Sequence, residues 1–231
     1  MKAKKKFLAA FGLLFVFNAY SQEDFEKTFS AEYKNAAEFV FRERWITRRI
    51  ERFGLQPKDV LSVVFPELIR FNSIQDRLEI FALESLYVKY GRNYANFSVG
   101  PFQVKPSFAE TLETDFIRFL KGHPGVPDIG ILPIDTIQNE ASRLKRLARL
   151  KDIGVMTDYL CSFYRLMEKQ HSPWANEEEK IKFIATAYNC GYRKSAVEIQ
   201  AFVKRKFFYT GWMATRRYSY ADVSWYYFKH H

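Results

Sequence analysis

Two cysteines and four histidines are all that 231 residues offer as thiol and imidazole side chains. Two Cys exclude a disulfide scaffold and a multi-cysteine zinc site. Two of the His, His230 and His231, stand at the very end, which leaves too few for a histidine metal cluster. Ten Gly and eight Pro are too few for a linker-rich or fibrous chain. There is no internal repeat and no low-complexity tract. What the chain has instead is aromatic: 23 Phe and 14 Tyr within an 18% aromatic content. A chain with that much apolar surface to bury is not a disordered one, and its length suits one core, at most two.

The N-terminus reads separately from the rest. Residues 1–6 carry four Lys, and residues 7–19 (FLAAFGLLFVFNA) form an apolar run too short and wrongly flanked for a spanning helix. Ala19 and Ser21 then give small residues at the −3 and −1 positions of a cut before Gln22. This is the pattern of a secretory signal peptide, 1–21, with an uncleaved N-terminal anchor as the alternative. Without it the formal charge falls from +10 to about +6, which fits an anionic polymer without identifying one. No later stretch is apolar enough to span a membrane. In an oxidising compartment Cys161 and Cys190 could pair, a geometry the sequence leaves open.

The remainder predicts a mainly α protein. Residues 31–52 form a basic amphipathic helix ended by Gly54, and 57–71 a strongly apolar one with Pro57 in its first turn. Residues 74–88 place Ile74, Leu78, Phe81, Ala82 and Leu86 on one face. Residues 91–106 change character and predict a small hairpin near 94–104. Residues 122–134 are expected to be a surface loop, followed by helices at about 135–150, 152–170, 177–190 and 220–228.

Within the apolar helix, Glu67 needs explaining. Val63, Val64 and Phe71 are its neighbours at i−4, i−3 and i+4, and it lies off the polar side made by Asp59, Ser62, Pro66 and Arg70. A carboxyl group among apolar neighbours is desolvated, which raises its pKa. A general acid working near neutral pH requires this. Pro66 removes one helix hydrogen bond beside it, so a kink or restart is expected there. The same residues also suit a helix-boundary Glu paired with a nearby Arg.

Four segments carry a resemblance. Gly54-Leu55-Gln56-Pro57 followed by Glu67, 13 residues after Gly54, resembles the start of the catalytic domain of soluble lytic transglycosylases and goose-type lysozymes. Gly100-Pro101-Phe102-Gln103 with Lys105-Pro106-Ser107 resembles that family's Gly-Leu-Met-Gln and Met-Pro-Ser segment. Ala187-Tyr188-Asn189-Cys190-Gly191 resembles its Ala-Tyr-Asn-Ala-Gly motif, and Thr215-Arg216-Arg217-Tyr218 its late Thr-Arg-x-Tyr segment. The four run in family order across nearly all of residues 22–231. There are departures. Leu68 stands where the family has Ser after the catalytic Glu, Phe102 replaces Met, and Cys190 replaces Ala. From Glu67 to Gly100 is 33 residues, about twice the usual gap. Within it Glu84-Ser85 supplies a Glu-Ser pair 16 residues before Gly100, so Glu84 is the runner-up carboxylate, or a second one in the groove. It lies off the 74–88 stripe and reads otherwise as an exposed surface Glu.

The resemblance implies a single lysozyme-like α+β domain, 22–231, with the hairpin beside a catalytic cleft. It implies an exported, periplasmic, cell-wall-associated enzyme acting on peptidoglycan glycan strands, with no nucleic acid partner, no membrane span after signal removal and no cofactor or metal. Glu67 is then the catalytic acid and base. Ser98, Gln103, Tyr188, Asn189 and Tyr218 are the substrate-binding candidates, with the Tyr188 ring stacking on a sugar and the Tyr218 hydroxyl near Glu67. Cleavage of the N-acetylmuramic acid–N-acetylglucosamine bond would leave 1,6-anhydro-muramoyl ends. A hydrolytic lysozyme, or a binder that kept the groove and lost the chemistry, are the alternatives.

Overall fold

The computed structural model describes residues 23–71, 77–126, 138–210 and 215–231. The expected signal peptide therefore lies outside the described residues, as do 127–134 of the expected surface loop. The described chain is mainly helical. It runs α1 (Phe25–Phe29), α2 (Ala31–Arg42), α3 (Arg44–Arg52), α4 (Pro57–Phe71), α5 (Arg77–Tyr90), α6 (Pro106–Gly122), α7 (Glu140–Lys151), α8 (Ile153–Gln170), α9 (Glu177–Cys190) and α10 (Ala196–Phe202). Then come β1 (Lys206–Phe208), β2 (Tyr218–Ser219) and α11 (Tyr220–His230), with β1 and β2 antiparallel. No described helix is long and apolar enough to cross a membrane.

Polar caps fix where the helices begin. Side chains of Asn139, Asp152, Asn176 and Ser219 accept from backbone N–H groups at the starts of α7, α8, α9 and α11. Ser195 and Glu198 form a reciprocal capping box on α10.

The described elements close one core, with α4 at its centre. Every residue of α4 from Val60 to Ile69 is buried. It packs against α11, α9, α2, α3 and α8. Its one acid in the first turn, Asp59, accepts from the Tyr164 hydroxyl of α8 and the Lys180 ammonium of α9, each at 3.0 Å. These bonds lock three helices in register. A second polar knot lies inside the fold. Arg146 of α7, fully buried, makes a bidentate pair with Glu113 of α6 at 2.9 and 2.7 Å. Tyr159 of α8 donates to the same carboxylate. A buried cation persists only when so paired.

The structure departs from the sequence expectations in several places. The expected helix 31–52 is two, broken at Glu43. The break lets Ile46 and Ile50 turn inward while Tyr33 and Ala36 stay buried on the preceding helix. At Pro66 the chain does not restart, and α4 runs through it. The first residues of the expected 74–88 helix lie outside the described residues. On its described part the expected apolar stripe is reversed. Phe81, Ala82 and Leu86 are exposed, whereas Tyr87 is buried and Leu83 and Val88 pack on the core. The hairpin is reduced to one bridge, Val99 and Val104 exchanging N–H···O bonds of 3.0 and 3.1 Å around the turn Gly100–Gln103. Helices α6 and α10 and the small sheet had not been anticipated. Cys161 and Cys190 are free thiols.

Candidate active site

Glu67 stands one turn from the end of α4, with its side chain 7% exposed. Burial pushes its carboxyl above the ordinary value near 4.5, and the neighbouring cations Arg70 and Lys105 pull in the opposite direction without cancelling the effect. Arg70, one turn on, donates to Glu67 Oε2 at 3.2 Å, with its guanidinium also 5.0 Å from the centre of the Phe208 ring. The boundary-type Glu–Arg pair anticipated from sequence is thus present, but around a carboxyl that is buried. Tyr220, the first residue of α11, donates its hydroxyl to the Val63 carbonyl at 3.1 Å and lies within hydrogen-bonding reach of the Glu67 carboxyl. Leu68 is 1% exposed and part of the core, as an apolar residue at that position should be.

Glu67 borders a cleft of about 680 Å³. Ser98, Gln103, Tyr188 and Asn189, all expected at one site, line the same cleft. The turn supplies one wall. Gly100 and Gln103 both adopt positive φ, +65° and +52°, and the Gln103 side-chain amide donates to the Gly100 carbonyl at 2.8 Å. That leaves its Oε1 as the acceptor it can offer. A Cβ at Gly100 would also meet the Met156 methyl at 2.3 Å, so that flexible side chain would have to move.

Helix α9 supplies the opposite wall. Tyr188 donates its hydroxyl to the Phe102 carbonyl at 2.7 Å, which ties the two walls together. Its ring packs edge-on against Phe108 and Phe163, both at 5.3 Å. The expected sugar-stacking ring is therefore committed to an aromatic cluster, and its polar end sets the width of the cleft. Asn189, next along, is exposed.

Two expected residues are not brought to this cleft. Tyr218 lies half-buried in a different depression, beside Phe25 and Ser219, with its ring edge-on to Phe25 and Phe29 at 5.7 and 5.2 Å. Tyr220, two residues later, occupies the place expected of it. Glu84 does not line the cleft either, and accepts from Lys151 at 2.8 Å across the α5–α7 contact. The second carboxylate that does border the cleft is Glu198. Its Oε2 accepts from the Ser195 N–H and hydroxyl, which hold its carboxyl below the ordinary value. Arg70, Lys105, Arg193 and Lys194 complete the lining, so cations outnumber carboxyls. Sequence reasoning passed over all four, although Lys105 lay inside a quoted motif and Arg70 at i+3 from Glu67. Comparison with the profiles of known families, with curated proteins and with solved structures finds no match.

Proposed function

We propose that the protein is an exported peptidoglycan lytic transglycosylase with a lysozyme-like fold, and that Glu67 is its single acid and base. One observation carries this reading: a buried carboxyl with a raised pKa, Glu67, lines one cleft with Gln103, Tyr188 and Asn189, which together come from three of the four motif segments, and with Ser98 beside them. A carboxyl held above its ordinary pKa keeps its proton to higher pH than a free one and can donate it to a glycosidic oxygen. The excess of cations in the lining suits a glycan that bears acidic lactyl and peptide groups.

The chemistry balances without water. Glu67 gives its proton to the glycosidic oxygen as the bond to the muramoyl C1 breaks, with the leaving sugar departing as an alcohol. The substrate's acetamido group stabilises the cation at C1. The muramoyl C6 hydroxyl oxygen then bonds to C1, and its proton returns to Glu67. An intramolecular nucleophile already beside C1 supplies much of the rate, on the order of 7–11 kcal/mol in well-oriented cases.

Two specific observations favour rivals. Glu198 at the cleft could serve as the second carboxylate of an inverting hydrolase, for which a separation of about 6.5–9.5 Å is required. The Arg70–Glu67 pair favours a binder without chemistry. Digestion of purified sacculi in heavy-oxygen water, read by mass spectrometry, separates all three. The proposal expects unlabelled 1,6-anhydro ends. Labelled reducing ends mean a lysozyme, and intact sacculi that retain the protein mean a binder.

A further inference from the structure

The outward side of α3 takes no part in the cleft. Its inner side is fixed: Ile46 and Ile50 are buried, and Arg49 donates two bonds of 2.6 Å to Asp158 of α8. The outer side presents Arg44, Trp45, Arg48 and Arg52, all exposed, with Phe41 one turn earlier at the end of α2. Phe41 is 66% and Trp45 42% exposed. Arg44, Trp45, Arg48 and Arg52 follow as a stripe at steps of three and four along α3, and Phe41, across the break at Glu43, adjoins them through Arg44, while the Trp45 indole N–H donates to the Glu43 carboxylate. The Arg44 guanidinium lies 4.5 Å from the centre of the Phe41 ring. Glu51 is the only acid on α3, and among the described residues Arg44, Arg48 and Arg52 have no ion-pair partner.

We propose that this stripe docks the protein on an anionic bilayer surface, with the guanidinium groups on lipid phosphates and the two rings at headgroup level. Charge complementarity is the first argument. Planar guanidinium forks suit phosphate oxygens, and each cation near such a surface adds to the attraction. The apolar component is the second. A charged polymer needs cations alone, whereas an aromatic pair set among arginines matches the layered polarity of a membrane interface, where Trp concentrates. The contact is peripheral and needs no rearrangement, because α3 is already fixed from behind. It does not depend on the reading of the cleft, to which none of these residues belongs.

The test is vesicle flotation with the chain from Gln22, whose described elements close a core by themselves and which lacks the apolar run 7–19. The protein should float with vesicles containing phosphatidylglycerol and not with pure phosphatidylcholine. Replacing three cations, R44Q/R48Q/R52Q, should lower the partition coefficient by on the order of a hundredfold. The pair F41S/W45S should lower it as well, with the thermal midpoint of both variants unchanged. Failure to float with the anionic vesicles, equal flotation with both, or unchanged binding by either folded variant would overturn the proposal. So would loss of DNA or heparin binding in the variants with no vesicle binding by the parent. Should one variant melt early, the other decides.

Discussion

The Tyr220 hydroxyl donates to the Val63 main-chain carbonyl, 3.1 Å away, and interacts with the carboxyl of Glu67. A hydroxyl has one proton and two lone pairs. It can accept a hydrogen bond from Glu67 when that group is an acid, while donating its own to the Val63 carbonyl, and donate to Glu67 when that group is a carboxylate. A residue that serves both protonation states suits a carboxyl that alternates between them. Under the proposed function it would take the part of the serine hydroxyl that Leu68 cannot provide.

Removing that hydroxyl should therefore affect turnover more than binding. Tyr220→Phe is expected to lower kcat about tenfold with KM nearly unchanged, equivalent to one hydrogen bond's net worth. Stability should fall by about 1 kcal/mol. Steady-state release of soluble muropeptides together with denaturant titration checks both. A change confined to KM would mean that Tyr220 only shapes the wall.

Glu67→Gln should lower glycan cleavage by about 10²–10⁴-fold. Its effect on stability has a definite pH dependence. Because the folded carboxyl has a pKa above the ordinary 4.5, the folded state is the tighter proton binder between those two values. Its contribution is fully present below the ordinary value and is lost as pH rises through the folded one. Parent and variant should melt together in acid, and the Gln protein should melt higher as pH rises. A constant difference across the range would contradict a desolvated Glu67.

The two other carboxylates separate by a simple comparison. Glu84→Gln removes only the partly exposed pair with Lys151. Cleavage should be unchanged and stability should shift by less than about 1 kcal/mol. Glu198→Gln should cost some stability through the α10 capping box, about 1 kcal/mol, and leave the anhydro product dominant. Abolished cleavage in the Glu198 variant, with folding intact, would assign it the role of base.

Gly100→Ala places a methyl group against Met156 at a backbone φ of +65°. The left-handed backbone alone costs about 1–2 kcal/mol for a residue with a Cβ. The thermal midpoint should drop accordingly. The Val99–Val104 bridge should loosen, seen as faster amide exchange at those two residues, with a raised KM.

Much of this was legible in the residues and some was not. Glu67 stood out because a carboxylate within an apolar helix has few bland explanations, and burial did what its neighbours implied. Helix α6 carried its own signals, Pro106 at the first turn and Ala109, Leu112, Phe116 and Phe119 on one buried face, but the Gly- and Pro-containing stretches either side drew the reading toward loops. Helix α5 is apolar on both sides, with Phe81, Leu86, Tyr87 and Val88, so periodicity alone could not say which side the core would take. Tyr218 and Tyr220 are two residues apart in a chain with 14 Tyr. Only the switch from β2 to α11 between them decides which reaches Glu67. Tyr188 lines the cleft, but hydrogen bonding through its hydroxyl and packing through its ring are invisible in a motif.

The cleft's walls come from the turn at Gly100–Gln103, from the start of α6, from α9 and from the segment that leads into α10, whereas the carboxyl they enclose sits on α4. The chain therefore carries its own safety catch. Before the chain folds, Glu67 is an ordinary hydrated carboxylate with nothing to raise its affinity for a proton. Its affinity for a proton rises only when the fold has buried it, and α11, the last helix, is one of the elements that pack on α4. Under the proposed function, a chain interrupted before residue 220 would be harmless to any glycan it met, and completion of the fold would itself be the activating event.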